Sequence, residues 1–442
     1  MKDLTKGLPV KVIVMFALPI LFGNIFQQLY NIADSKIVST YVSTNAFAAV
    51  GATSVISNTI ISFINGLTQG FAIPVANSFG AKDYRKMRKY IAGAIFLTLG
   101  ATVVFTALAL CFIEKILKLL STPDDIYADA LTYVRIIIVG IIFTAIYNLC
   151  ANVLRAVGDS KTPLYCLMAA VVVNIGLDLL FVKGMGLNIA GAAYATVIAQ
   201  AMAGLMCLIY IFVKFRDIIP KHDDWKLYEG QYSNLISTGL SMALMSCIVN
   251  IGSVILQSAI NGLGTTIVTA HTAARRVFEI LTVTIFSLSV AVTTYTSQNI
   301  GAGKPKRVVQ GVRQVLILEV VLVSFLILLC YLFAEPMYHW ILSSDNMEII
   351  SVSVRYSKIS ILFFYVLGPL LVLRCSMQGM GRKVLPVITS VLEMTIKILS
   401  AKLLVPALGY TGVIFTEPIS WIAMLIVLAI GYIGATGKFQ SE

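Results

Sequence analysis

Residues 315–334 read VLILEVVLVSFLILLCYLFA, twenty positions of which one is charged. An apolar run of about 20 residues is long enough for a helix to cross the hydrocarbon core of a bilayer. The whole chain shares this character: 58% of its 442 residues are apolar and 12% are charged. A soluble protein has about 25% charged residues. This composition excludes a soluble enzyme, a disordered protein and a fibrous protein, and it indicates an integral membrane protein.

Twelve apolar windows, separated by glycine, proline and charged residues, predict twelve membrane-spanning helices. Their predicted bounds are 11–33, 47–76, 90–113, 126–151, 163–182, 190–213, 232–260, 267–298, 313–334, 347–374, 385–404 and 411–434. Several windows are longer than a crossing requires, so we expect tilted, kinked or protruding helices.

Basic residues are distributed unevenly between the two sets of loops. One set contains 21 lysines and arginines, and the alternate set contains 7. Positive charge collects in cytoplasmic loops, which predicts that both termini lie on the cytoplasmic side. We therefore expect a multi-pass protein of the plasma (inner) membrane, of bacterial type. The seven cysteines lie in apolar runs without a CxxC pair and are predicted to be packing residues.

The two halves of the chain resemble each other. Gly80-Ala81 and Gly301-Ala302 both lead into basic residues and are 221 positions apart. Matches at nearly the same offset in other turns predict six helices used twice in the same orientation. Such parallel repeats are typical of transporters, with the substrate site at the repeat interface. The predicted fold is an all-α membrane protein with two pseudo-symmetric six-helix lobes around a central cleft. The predicted domains are an N-terminal lobe (1–214), a cytoplasmic linker (215–231) and a C-terminal lobe (232–442).

Polar residues follow one face of three otherwise apolar spans, at helical spacings of three and four. The stripes are Asn24, Gln27, Asn31 and Asp34 on the first span, Ser54, Asn58, Ser62, Asn65 and Gln69 on the second, and Ser246, Asn250, Ser253, Gln257 and Asn261 on the seventh. Hydrogen bonding between helices is the alternative interpretation. Three complete stripes favour a wet cavity. Its predicted lining residues are Gln27, Asn31, Asn65, Gln69, Asn250 and Gln257.

Two carboxylates in the N-terminal half are candidates for an ion site. Asn174 and Asp178 lie one turn apart on the fifth span, Asp34 lies near the outer end of the first, and Thr196 lies near the outer end of the sixth. At a rise of about 1.5 Å per residue, all four fall in the outer half of this lobe. Their oxygens suit Na⁺, whereas crowded and poorly solvated carboxylates hold a proton instead. Pairing of an interfacial Asp34 with Lys36 is the alternative.

The C-terminal half differs at these positions. Lys397 replaces Asn174 at an offset of 223, and Glu393 and Lys397 are predicted to pair one turn apart. The other ionisable residues are predicted to form a local ion pair or to line the cavity: Arg275, Arg276 and Glu279 for the pair, and Glu417 for the cavity. The sequence therefore predicts an ion site in the N-terminal lobe alone.

Several motifs carry a resemblance to a known family: Leu18-Pro19, Gln27-Gln28-Leu29-Tyr30-Asn31-Ile32-Ala33-Asp34, Gly80-Ala81-Lys82, Gln298-Asn299-Ile300-Gly301-Ala302-Gly303-Lys304, Arg155-Ala156-Val157-Gly158-Asp159 and Gln378-Gly379-Met380-Gly381. With the twelve spans and the duplication, the chain resembles the multidrug and toxic compound extrusion (MATE) family. The resemblance implies two lobes forming a V-shaped cleft and working by alternating access. It also implies export of amphipathic, often cationic compounds in exchange for H⁺ or Na⁺.

The resemblance places the family's cation site at Asp34, Asn174, Asp178 and Thr196. Some members of the family carry further acids on spans seven and ten. Here these spans offer Ser246 and the apolar stretch around Leu370, so a second cation site is not expected.

Three functions compete at this stage: an antiporter, a flippase for a lipid-linked saccharide, and a membrane enzyme or structural subunit. No basic residue lies on the three stripes, which argues against binding a pyrophosphate. No Ser/His pair, HExxH or DDxxD-type set lies at one depth, which argues against an enzyme. We expect an antiporter with no cofactor, no metal beyond a coupling Na⁺, no nucleic-acid partner and a monomeric state. Its coupling ion is H⁺ or Na⁺, and its substrate is a drug-like small molecule.

Overall fold

The computed structural model describes residues 3–119, 122–226, 229–342 and 346–441, and within these ranges it contains helices and no strands. Among the described residues, eleven helices are long and apolar enough to cross a membrane, and a bent helix pair counted as one span raises the number to twelve. The prediction of an all-α membrane fold is confirmed. The helices are α1 (Pro9–Tyr41), α2 (Thr44–Gly80), α3 (Tyr84–Leu119), α4 (Asp124–Ala156), α5 (Lys161–Asp178), α6 (Asn188–Lys214), α7 (Glu229–Asn261), α8 (Thr265–Gly301), α9 (Pro305–Leu342), α10 (Met347–Leu362), α11 (Phe364–Gly379), α12 (Val384–Leu399), α13 (Val405–Leu408) and α14 (Tyr410–Ser441).

The helix bounds of the first half recur in the second half at a nearly constant offset. The bounds of α1 correspond to those of α7, and the bounds of α2 correspond to those of α8. The start of α4 corresponds to the start of α10, and the end of α4 corresponds to the end of α11. The predicted duplication of a six-helix unit is therefore confirmed.

Contacts divide the chain into two compact units. The first unit is built on Phe22–Ala243, and the second combines Leu4–Leu21 with Leu244–Glu442. The predicted bounds place all of α1 in the N-terminal lobe (1–214) and α7 in the C-terminal lobe (232–442). In the structure each of these two helices contributes one part to either unit. The predicted bounds of the lobes as functional domains stay a prediction.

In the first unit, α2 and the beginning of α7 pack with their backbones in contact. A Cβ atom on Gly70 would lie 2.6 Å from the Cα atom of Gly239, and one on Gly66 would lie 2.8 Å from the carbonyl oxygen of Met242. Small residues allow such an approach between membrane helices. Glycine at these positions therefore holds the first part of α7 in the first unit.

The segment after α6 is fixed to α3 of the first unit. The Asp224 carboxylate is buried and accepts bonds from Arg88 Nε at 2.7 Å and from the Lys221 backbone N–H at 3.0 Å. Burial opposes ionisation, but the Lys221 N–H and the Arg88 guanidinium hold the pKa of Asp224 below its usual value. The predicted linker 215–231 is therefore anchored over its described part.

In the second unit, the N-terminal segment and the first half of α1 pack against α8 and α9. The Leu4 backbone N–H donates to Gln298 Oε1 at 3.0 Å, and Lys304 Nζ donates to the Thr5 carbonyl at 3.0 Å. Leu4 and Phe16 are fully buried in the apolar core of this unit. These contacts explain why Leu4–Leu21 belongs to the second unit.

The tenth predicted span, 347–374, is broken in the structure. α10 and α11 meet at Phe363 with a bend of 52°. Pro369 lies in the second turn of α11, lacks an N–H group and crowds the carbonyl one turn earlier. The predicted span 347–374 therefore contains a kink of the kind expected for the longer windows, and proline accounts for it.

Candidate functional site

The four residues predicted for the cation site lie together in the first unit. Asn174 and Asp178 are buried on α5, and Thr196 lies on the facing α6. With its amide oriented to meet complementary partners, Asn174 donates to Asp178 Oδ2 at 2.9 Å and accepts from the Thr196 backbone N–H at 3.2 Å. The amide therefore fixes the Asp178 carboxyl group relative to α6.

Asp34 joins this group from the second half of α1. Its carboxyl group approaches that of Asp178 within hydrogen-bonding range. One turn earlier on α1, the hydroxyl of Tyr30 is hydrogen-bonded to Thr196 Oγ1 at 3.2 Å. Two carboxyl groups can share a hydrogen bond only when one of them carries a proton. The arrangement therefore accommodates at least one exchangeable proton.

Two oxygens of this pair remain available for a ligand. Oδ1 of Asp34 and Oδ1 of Asp178 are buried and have no hydrogen-bond partner among the described residues. A buried acceptor without a donor is costly. A proton or a small hard cation would satisfy these oxygens. These two carboxylate oxygens fit Na⁺ as well as H⁺, whereas the Asn174 amide oxygen is already bonded to the Thr196 backbone N–H.

A π-helical turn adjoins this group. α5 ends at Asp178, and residues Leu179–Gly184 continue it with the wider winding. Such turns occur mostly as single insertions and frequently at functional sites. Asp178 therefore lies at the junction between the α-helical and the π-helical winding.

The predicted cavity residues lie on three helices and have unequal exposure. On α1, Asn31 is exposed and accepts a bond from Gln27 Nε2 at 3.4 Å. On α2, Asn65 is exposed and Gln69 is half-buried. On α7, Asn250 is half-buried, and the exposed Gln257 donates to its helix neighbour Asn261 at 2.9 Å. That these residues bind substrate stays a prediction.

Glu417 is bonded to an arginine on another helix. Its carboxylate accepts two bonds from Arg275 Nη1, at 3.0 and 3.1 Å. Glu279, the predicted partner, also pairs with Arg275, at the longer distance of 3.8 Å. Arg275 therefore bridges α8 and α14 through Glu417, and that Glu417 lines the cavity stays a prediction. The predicted pair of Glu393 and Lys397 is confirmed, at 2.8 Å.

Sequence reasoning did not single out Glu319. This residue on α9 is 1% exposed, and neither of its carboxyl oxygens has a hydrogen-bond partner among the described residues. A Cβ atom on Gly368 of α11 would lie 2.8 Å from Glu319 Oε2. The signal was present in the sequence, because Glu319 is the one acid in residues 315–334. An isolated acid inside a span is a functional candidate.

Comparison with known proteins gives the family. A family model, MatE, matches residues 19–180 and matches the chain again at 241–403. The chain belongs to the MatE family. The two matches reproduce the duplication, and the MATE resemblance of the sequence motifs is confirmed.

Individual known proteins are similar to this chain over much of its length. "Probable multidrug resistance protein YpnP" of Bacillus subtilis is 33% identical, covering 69% of this chain and 68% of the relative. The "FAD transporter" of Shewanella oneidensis is 24% identical, covering 74% and 73%. A solved structure of a multidrug resistance MATE family transporter in its outward-facing conformation superposes with a TM-score of 0.90 at 22% identity, covering 99% and 98%. The last comparison shows a shared fold.

Proposed function

We propose that this multi-pass MatE transporter is a secondary active antiporter that exports amphipathic, drug-like compounds in exchange for H⁺ or Na⁺. The observation that carries the proposal is the approach of the Asp34 and Asp178 carboxyl groups, each with a buried oxygen that lacks a partner among the described residues. A site of this kind takes up an ion from one side and releases it when its surroundings change. An ion that binds one conformation better than another shifts the populations by its difference in affinity.

The supporting geometry links three helices of the first unit. Tyr30 and Thr196 join α1 to α6, and Asn174 joins Asp178 to α6. Binding a proton or Na⁺ between Asp34 and Asp178 removes the repulsion between two carboxylates. Ion loading is therefore expected to hold the second half of α1 against α5 and α6, and ion release to loosen it. This proposal gives the ion a mechanical effect on the first unit.

The test is efflux of a fluorescent cation, rhodamine 6G, in everted vesicles under a pH gradient or a Na⁺ gradient imposed separately. Asp34→Asn and Asp178→Asn are expected to abolish gradient-driven transport while leaving the amount of folded protein unchanged. The matched control is Asp125→Asn, which removes an exposed carboxylate in the first turn of α4. Full transport by both site variants would refute the proposal, and the effective gradient would identify the ion.

We also propose that both termini lie in the cytoplasm and that the monomer is the transporting unit. The excess of basic residues in one set of loops supports this orientation. Labelling of single cysteines introduced at Lys306 and at Lys115, with a reagent that does not cross membranes, tests it. In intact cells the second position is expected to react and the first to be protected.

A further inference from the structure

The second unit holds a cluster of charged side chains on α11 and α12, bonded to a serine on α7, that ion exchange at Asp34 and Asp178 does not use. Arg374 Nη2 on α11 donates to Ser390 Oγ on α12 at 2.6 Å. On the same face of α12, Lys397 Nζ donates to Glu393 Oε1 at 2.8 Å and to Ser253 Oγ on α7 at 3.2 Å. Ser390, Glu393 and Lys397 are buried.

The cluster contains more positive than negative charge. Glu393 is bonded to Lys397 and also interacts electrostatically with Arg374. Among the described residues, Arg374 has no carboxylate within salt-bridge distance. Glu417 interacts electrostatically with Lys397, but Arg275 already neutralises it. One positive charge is therefore left without a matching acid in apolar surroundings, where such a charge is costly.

The guanidinium of Arg374 has further donors that a flat anion could use. A guanidinium carries five N–H donors in a fixed fork, which matches two oxygens of a carboxylate or phosphate. The bond to Ser390 uses one donor, and the side chain is partly exposed. The bond to α12 also restricts its rotation, so binding an oxyanion would cost little further ordering.

The internal repeat shows that the two units differ in charge at matching positions. Lys397 corresponds to Asn174 at the offset that relates the start of α12 to the start of α5. In the first unit this position carries an amide that holds the carboxyl group of Asp178. In the second unit it carries a fixed ammonium group bonded to Glu393. The first unit is therefore suited to an exchangeable cation, and the second to an anion.

We propose that Arg374, supported by Lys397, binds an oxyanion of the transported substrate, a carboxylate or a phosphate. This inference rests on the proposed transport function and adds a substrate class to it. The transporter then accepts amphipathic anions or zwitterions as well as cations. Arg374 contacts the oxyanion, and Lys397 keeps Glu393 from competing for the guanidinium.

The test is equilibrium binding to the purified full-length chain in detergent, measured by fluorescence anisotropy. Fluorescein and rhodamine 6G share a ring system, but fluorescein is an anion with a free carboxylate and rhodamine 6G is an esterified cation. Arg374→Gln is expected to weaken fluorescein binding about tenfold to a hundredfold, the effect of losing a hydrogen bond to a charged group. Rhodamine 6G binding is expected to stay unchanged.

Two further variants test whether binding needs the planar guanidinium of Arg374 or only a positive charge in this unit. Arg374→Lys keeps a positive charge without the planar fork and is expected to fall between wild type and Arg374→Gln. Arg313→Gln removes an exposed charge of the same unit and is expected to bind fluorescein as wild type does. An equal loss in Arg313→Gln, or none in either Arg374 variant, would overturn the inference. If Arg374→Gln does not fold, Arg374→Lys still decides the result.

Competition identifies the source of the oxyanion. Displacement of fluorescein from wild type by 1-naphthyl phosphate supports a substrate site for carboxylates and phosphates. Displacement by phosphatidylglycerol but not by soluble anions would overturn it in favour of a lipid headgroup, and absence of fluorescein binding to wild type would also overturn it.

Rhodamine 6G efflux without fluorescein binding would refute this inference alone. Arg374-dependent fluorescein binding without efflux of either dye would refute the transport proposal alone.

Discussion

Breaking the ion pair between Arg275 and Glu417 is expected to destabilise the second unit and to leave substrate affinity unchanged. The charged groups are 3.0 and 3.1 Å apart. At this distance and an effective dielectric constant of about 20, their attraction is about 5 kcal/mol. The Arg275 side chain is 31% exposed and that of Glu417 is 16% exposed, so solvent screening and the cost of desolvation reduce this value. We expect a coupling of about 2 kcal/mol.

A double-mutant cycle measures this coupling. Arg275→Gln, Glu417→Gln and the double variant are unfolded reversibly in mixed micelles, and rhodamine 6G transport is measured on the same proteins. The double variant is expected to be more stable than the sum of the single losses predicts, because it leaves no buried charge without a partner. Arg276→Gln, which removes the exposed neighbouring charge, is the control. A coupling below about 0.5 kcal/mol, with a raised KM in Glu417→Gln, would refute this reasoning and make Glu417 a cavity residue.

Three further outcomes are expected. Gly70→Val is expected to lower the free energy of unfolding by about 1–3 kcal/mol or more, because its side chain overpacks against the α7 backbone. The control is Gly100→Ala, whose Cβ atom has nothing within 4 Å; it is expected to unfold at or above the wild-type midpoint. Glu319→Met is expected to stabilise by about 1–3 kcal/mol, because it removes two buried oxygens without partners among the described residues; a lower unfolding midpoint would reveal a partner for the carboxyl group. The bond between Arg88 and Asp224 is expected to contribute fully to stability above about pH 4, the ordinary pKa of aspartate, and to be lost as pH falls further, through the lowered folded-state pKa. Pepsin is therefore expected to cleave the segment after α6 of the wild type only below about pH 4. In Asp224→Asn, cleavage is expected to begin at a higher pH.

The fold could be predicted from the sequence because membrane burial depends on local composition. A window such as 315–334 identifies a span without reference to any other part of the chain. The division of α1 and α7 between the units could not be predicted in this way. It depends on non-local contacts, such as the approach of Gly70 to Gly239, between residues far apart in sequence. The break at Phe363 was partly visible, because Pro369 marks a kink but does not fix its angle.

The candidate site was predictable for a related reason. Helical rise is uniform, so counting residues from the end of each span places Asp34, Asp178 and Thr196 at similar depths. The same counting would have matched Glu417 with Arg275, since each lies two to three turns from the first residue of its helix, α14 or α8. The sequence predicted the longer pair of Arg275 with Glu279 on its own helix, at 3.8 Å, and missed the closer acid on a helix distant in sequence.

The duplication separates what the scaffold requires from what the site requires. Both units follow the matching helix with a π-helical turn, Leu179–Gly184 in the first and Ser400–Leu404 in the second. The π-helical turn is therefore present both after the helix that carries Asn174 and after the helix that carries Lys397. A feature shared by a candidate cation site and a cluster of fixed charge cannot by itself specify the bound ion. Ion preference must then lie in the side chains, so exchanging the residues at these two positions should change which charge each unit accepts while leaving the helix bounds intact.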